Sequence, residues 1–199
     1  MCSSDLITAE SGKIGDITLT LNATGAVDFA TIGSASAVGN ITVTISSEGS
    51  ADFGNILVTA GTLGDITLNV AGSASVDFAN IGAGTAGTAG RVGTITVSGS
   101  GWVDFGVVTA KSVAGIDLRN QGSGATFSID LSGVADGVTV DGGRGTNSII
   151  SGKGNDEFFL KTGLGTDTIT YNSTAQASDS IYRLDATSDR IYLSVTAID

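Results

Sequence analysis

The chain has no histidine. That removes the Ser-His-Asp triad, the Cys-His pair, the His general base and the HExxH zinc site. Proline is absent too, while glycine is abundant, as a regularly wound β structure with many tight turns requires. Cys2 stands alone, so no intrachain disulfide can form. Lys and Arg number 9 against 20 Asp and Glu, and the net charge of −11 repels phosphate backbones, so nucleic acid is not an expected partner. The basic residues are sparse before Arg91 and scattered after it, and form no patch in sequence. No run of about 18 apolar residues exists, so no transmembrane segment is expected.

A repeat fills the first part of the chain. Ile14-Gly15-Asp16-Ile17-Thr18-Leu19 recurs as Val38-Gly39-Asn40-Ile41-Thr42-Val43, Leu63-Gly64-Asp65-Ile66-Thr67-Leu68 and Val92-Gly93-Thr94-Ile95-Thr96-Val97, with a decayed copy at Val113 to Leu118. Between the copies lie Val27-Asp28-Phe29, Ala51-Asp52-Phe53, Val76-Asp77-Phe78 and Val103-Asp104-Phe105. The period of roughly 24 to 29 residues is that of a solenoid. Within each copy Ile17, Leu19 and Leu21 alternate with Thr18 and Thr20, which places them on opposite faces of a strand. Three short strands per coil, stacked at about 4.8 Å, predict an all-β parallel β-solenoid; an antiparallel sandwich is the alternative. Stacking aligns Phe29, Phe53, Phe78 and Phe105 as an interior ladder. It also aligns Asp28, Asp52, Asp77 and Asp104 on the outer face, where each neighbouring pair costs about 3 kcal/mol at an effective dielectric of about 20. Water or a bound cation would relieve that repulsion. Residues 82–90 read as an inserted flexible surface loop.

Past residue 124 the pattern changes. Gly142-Gly143-Arg144-Gly145-Thr146-Asn147, Ser151-Gly152-Lys153-Gly154-Asn155-Asp156 and Thr162-Gly163-Leu164-Gly165-Thr166-Asp167 are Gly-rich turns ending in an oxygen-bearing side chain, each followed by a short apolar strand. They resemble the calcium-binding nonapeptide repeats (Gly-Gly-x-Gly-x-Asp-x-apolar-x) of secreted RTX proteins, with Asn147 where that family has Asp. The resemblance implies a parallel β-roll binding one or two Ca2+ ions. The implied metal-site residues are Asp136, Gly143, Gly145, Asn147, Gly152, Gly154, Asp156, Gly163, Gly165 and Asp167. Turns two repeats apart would share an ion. Asn147 and Asp167 stand two residues further apart than the usual spacing of about 18, because Leu160 and Lys161 are extra. The upstream partner of Asp156 is expected to be Asp136. Asp179-Ser180-Ile181 and Asp189-Arg190-Ile191-Tyr192-Leu193-Ser194 resemble the stretch that follows RTX repeats.

These features divide the chain into a non-native or disordered lead-in (1–11), solenoid repeats (12–124) and a calcium roll with its cap (125–199). Met1 to Leu6 lacks the apolar core of a signal peptide. Cys2-Ser3-Ser4-Asp5-Leu6 is also what the tail of a common sequencing adapter encodes behind a start codon, so the chain is expected to be a metagenomic fragment of a longer protein. The resemblance implies a non-catalytic structural or adhesive module of an extracellular S-layer or adhesin-type protein of Gram-negative bacteria. Such a module would leave the cell by type I secretion, fold on external calcium, and self-associate or contact cell-surface polysaccharide. Two other readings stay open. The outward rows Thr18/Thr20, Thr42/Thr44, Thr67/Asn69 and Thr96/Ser98 resemble the Thr-x-Thr arrays of ice-binding solenoids. The other alternative is a non-catalytic secretion or targeting domain of a secreted hydrolase.

Overall fold

The structure, a computed structural model, describes residues 6–84, 90–161, 165–172 and 177–194. Met1 to Asp5, most of the glycine-rich insert and Gly163 lie outside these residues. Among the described residues the chain is all-β. Its strands form two sheets, of 12 and 11 strands, and every pairing in them is parallel. Coils of about 24 residues stack into a parallel β-solenoid of about 7 turns.

Each early coil contributes four short strands. In the first, Lys13–Ile14 and Ile17–Leu21 join the 11-stranded sheet, and Ala26–Asp28 and Thr31–Ser34 join the 12-stranded one. That is one strand more than the apolar alternation predicts, because the Gly-Asp pair interrupts each coil. Asp16 Oδ1 accepts the Asn40 N–H at 2.8 Å, Asn40 Oδ1 accepts the Asp65 N–H at 2.9 Å, and Asp65 Oδ1 accepts the Thr94 N–H at 2.8 Å. A side chain thus replaces one bond of the backbone ladder at each step, which breaks the strand there. Thr94 offers the next coil no such acceptor, and in its coil Arg91–Gly99 runs as one strand. Gly39, Gly64 and Gly93, which precede the donating amides, are required by the same contact: a Cβ on Gly64 would lie 2.5 Å from Asn40 Oδ1 and 2.8 Å from the Gly39 carbonyl carbon.

Register carries the interior. Ile17, Ile41, Ile66, Ile95, Ile116, Val140, Phe158 and Ile181 stand in one column, and from Ile41 to Phe158 they are buried. The expected aromatic ladder forms opposite: Phe29, Phe53, Phe78 and Phe105 stack with ring centroids 5.0, 4.8 and 4.8 Å apart. Phe127 extends it with a tilted ring at 5.7 Å. Each fully buried phenyl contributes about 1.5–3 kcal/mol by transfer alone, so this column is a principal support of the fold.

The stack is continuous across residue 124. Trp102–Ala110 pairs with Thr126–Val134, which pairs with Thr146–Ile150. The insert leaves its neighbours in register: Asn80 opposes Asn55 before it and Arg91 opposes Thr62 after it. At the other end, within the expected lead-in of residues 1–11, Leu6–Ala9 forms a parallel ladder with Thr31–Ser34.

Candidate metal centre

The site begins with a change in one interior column. Val27, Ala51, Val76, Val103 and Phe127 occupy equivalent positions in successive coils. The next two occupants are Asn147 and Asp167. Asp189 follows, immediately before Arg190, the register partner of Thr168. An apolar column therefore becomes a polar and acidic one while remaining inside: Asn147 is 1%, Asp167 3% and Asp189 7% exposed.

These three side chains are linked. Asn147 Nδ2 donates to Asp167 Oδ1 at 2.6 Å, the Asp167 N–H donates to Asp189 Oδ1 at 3.0 Å, and the Asp185 N–H donates to Asp189 Oδ2 at 2.8 Å. Asn147 Oδ1 is buried without a hydrogen-bond partner. Burial pushes the Asp167 carboxyl up to about 6; the bond from Asn147 opposes this rise and the charge of Asp189 adds to it. A buried acceptor lacking a donor, beside two carboxylates with no ion-pair partner among the described residues, is costly unless a proton or a cation enters.

A second acidic column lies on the opposite side of the coil. Asp156 Oδ1 accepts the Val138 N–H at 2.8 Å, and Asp179 Oδ1 accepts the Asp156 N–H at 2.8 Å. Asp156 Oδ2 accepts the Gly152 N–H at 2.9 Å. Ser151 Oγ lies 2.6 Å from Asp156 Oδ2 and 2.9 Å from Asp179 Oδ2. One hydroxyl has one proton, so it cannot serve two ionised carboxylates; the second contact needs a proton or a cation. Burial raises the Asp156 carboxyl, against hydrogen bonds from Ser151, Val138 and Gly152 that hold it down. Burial likewise raises the Tyr171 hydroxyl, with Asp179 beside it contributing.

The structure brings together Asn147 and Asp167, as their spacing predicts. It does not bring the Asp136 side chain to Asp156. Asp136 Oδ2 instead forms an exposed ion pair with Lys111 Nζ at 2.6 Å, while its backbone passes over Gly154. The carboxylate neighbour of Asp156 is Asp179, one coil later. Gly143, Gly145, Gly152, Gly154 and Gly165 lie where coils touch: a Cβ on Gly145 would sit 2.6 Å from the Ala125 carbonyl oxygen, and one on Gly152 3.3 Å from that of Leu131. Gly143 faces the Leu118 carbonyl, Gly154 the Gly137 amide, and Gly165, at φ +91°, the Gly145 carbonyl.

Sequence reasoning about the turns misses Asp179, Asp189 and Ser151. A signal for the two aspartates was present. Asn147-Ser-Ile, Asp156-Glu-Phe, Asp167-Thr-Ile, Asp179-Ser-Ile and Asp189-Arg-Ile are five Asx-x-apolar triplets on alternating sides of the coil. Only the first three follow a Gly-rich turn.

The donor set is oxygen throughout, which fits a hard cation of the calcium type. Among the described residues the carboxylates occur in pairs, and no group of three or more His, Cys, Asp or Glu is gathered at one point. The outward aspartates also align, Asp28 to Asp52 to Asp77 to Asp104. Two of them have local work: Asp52 Oδ1 accepts the Gly54 N–H at 2.8 Å and Asp104 Oδ1 the Gly106 N–H at 3.0 Å. Partial burial raises the Asp77 carboxyl, with the charges of Asp104 and Asp52 adding to the shift. Comparison of the chain with protein-family models, with curated proteins and with solved structures gives no match in any of the three.

Proposed function

We propose that this chain is a calcium-folded solenoid module of a secreted surface protein, structural or adhesive in role. The observation that carries the reading is the buried acidic interior of residues 138–189. There Asn147 Oδ1 has no donor, and Ser151 offers one proton to two carboxylates. A divalent cation held by Asn147, Asp167 and Asp189 would neutralise the first column, and one held by Asp156 and Asp179 the second. Bound there, calcium supplies positive charge and oxygen coordination and no reaction chemistry. Extracellular calcium modules commonly bind in the range of about 10⁻⁴–10⁻³ M. Binding energy at sites made only on folding is folding energy. Such a chain would stay open for export from a low-calcium cytosol and close outside. The RTX resemblance of the three Gly-rich turns supports the same sequence of events.

Far-ultraviolet circular dichroism with millimolar calcium and then with a chelator tests this. A gain of β signal and a rise in melting temperature on adding calcium are expected; identical spectra and melting curves would overturn the reading.

One observation favours a second reading. Thr18, Thr42, Thr67 and Thr96 stand in register on the 11-stranded sheet, beside Thr20, Thr44, Asn69 and Ser98. An ice-binding face predicts thermal hysteresis that disappears in Thr42→Lys and Thr67→Lys.

A further inference from the structure

Three of the chain's 9 basic residues meet at one cleft. Arg119, Lys161 and Arg183 are far apart in sequence, yet with Asp141, Gly142, Phe159 and Leu160 they line a cavity of about 150 Å³ on the 11-stranded sheet. In a protein of net charge −11, a lining of three cations and one carboxylate is an inversion of the prevailing sign.

Each cation stands at an irregularity of the coil. Between Asp117 and Asn120 the strand carries one residue more than its partner between Thr96 and Ser98, and Arg119 belongs to that bulge. Bulges commonly re-aim side chains beside binding sites. Asp117 grips the result: its carboxylate accepts from Arg119 Nε at 2.9 Å and from Nη2 at 2.6 Å. Lys161 is one of the two residues that lengthen the coil before the third Gly-rich turn. Arg183 has φ +62°, the one non-glycine residue with positive φ among the described residues. A left-handed arginine costs on the order of 1 kcal/mol or more and is characteristic of functional sites. Among the described residues neither Lys161 nor Arg183 has an ion-pair partner.

The cleft also has an aromatic wall. Phe159 lines it, and Tyr182 of the following coil stacks on Phe159 with ring centroids 4.6 Å apart and planes 7° apart, fixing the ring in place. Cations recognise a carboxylate, an aromatic face takes the C–H face of a saturated ring, and Asp141 can accept from hydroxyl groups. A small volume and that combination suit one sugar ring bearing an acid group.

We propose that this cleft binds a carboxylated pyranose, such as a uronate unit of an acidic surface polysaccharide. Lys161 and Arg183 take the carboxylate, with Arg119 held beside them by Asp117. Phe159 packs against the ring, and Asp141 accepts from its hydroxyls. The site does not depend on the calcium reading; it requires only that the coils be folded.

The test compares methyl glucuronide with methyl glucoside, which differ only at the carboxylate, by calorimetric titration of the full chain. Circular dichroism of the same samples, with and without calcium, establishes that the chain is folded, so a failure of calcium to induce folding is read separately. Methyl glucuronide should bind with a dissociation constant in the millimolar range or tighter, and methyl glucoside at least tenfold more weakly. Arg183→Gln and Lys161→Gln should each weaken the acid about tenfold and leave the spectrum unchanged, whereas Arg91→Gln should change nothing. Equal affinity for the two sugars, acetate binding as tightly as the glucuronide, or no binding to the folded chain would each overturn the proposal.

Discussion

Asn147 donates its side-chain Nδ2 to Asp167 Oδ1 at 2.6 Å across one coil, and its own Oδ1 faces no donor. The pair thus leaves one buried acceptor without a donor beside a buried carboxylate, a deficit that the proposed cation would fill.

Asn147→Asp should strengthen that site in calcium and weaken the fold without it. The calcium midpoint of folding should fall about tenfold, a gain of about 1.4 kcal/mol. In chelator the same variant should melt lower than the parent, because three buried carboxylates then share one column. A calcium titration followed by circular dichroism measures both; a midpoint that does not move would show that no cation touches Asn147.

Acid should substitute for calcium at Asp167. Its folded-state value is raised to about 6 from the ordinary 3.8, so the folded chain binds the proton more tightly than the unfolded one. The stabilisation is fully present below about pH 4 and is lost as pH rises through about 6. It amounts to about 3 kcal/mol at about 1.4 kcal/mol per pKa unit. In chelator, the parent minus Asp167→Asn difference in unfolding free energy should fall by about that amount between pH 3 and 7. A flat difference would mean that Asp167 is not buried as an acid. Asp156, also raised, shifts in the same direction.

Gly64→Ala tests how tightly coils stack at the Gly-Asp break. Its Cβ would meet Asn40 Oδ1 at 2.5 Å and backbone atoms of Gly39 and Asn40 at 2.8 and 2.9 Å. The backbone cannot yield cheaply, and a loss of about 2 kcal/mol or more is expected in urea unfolding. Gly115→Ala, whose nearest contact is the Thr139 carbonyl at 3.6 Å, should cost under about 1 kcal/mol. Equal losses at the two positions would refute the stacking explanation.

Phe78→Ala removes the middle ring of the ladder, which has stacked neighbours on both sides at 4.8 Å. A loss of about 3–5 kcal/mol is expected. A double-mutant cycle with Phe105→Leu should show coupling of about 0.5–1.5 kcal/mol beyond burial. Strict additivity would reduce the ladder to ordinary apolar packing.

Much of this was legible because a solenoid turns sequence spacing into spatial register. Phe29, Phe53, Phe78 and Phe105 recur at the coil length and therefore stack; Asn147 and Asp167 do the same. What spacing conceals is side-chain direction and loop length. Asp136 sits in a turn resembling the others, yet Lys111 of the preceding coil captures it at the surface. Asp179 and Asp189 follow connections of irregular length, so their alignment with Asp156 and Asp167 shows only when the coils are stacked. The approach of Arg119, Lys161 and Arg183 depends on a bulge, an insertion and one left-handed residue, none of which has a periodic signature.

Two sets of side-chain staples between coils point in opposite directions along the molecule. Asp16, Asn40 and Asp65 each reach forward to an amide of the next coil, whereas Asp156, Asp179 and Asp189 each reach back to an amide of the coil before. At these three steps a coil already in place presents the acceptor for its successor. The second half works in arrears: the Asp156 amide waits for Asp179, and the Asp167 amide for Asp189. A chain ending before residue 179 would keep the early staples and leave the Asp156 and Asp167 amides without these acceptors, so the last coils would be the first to open.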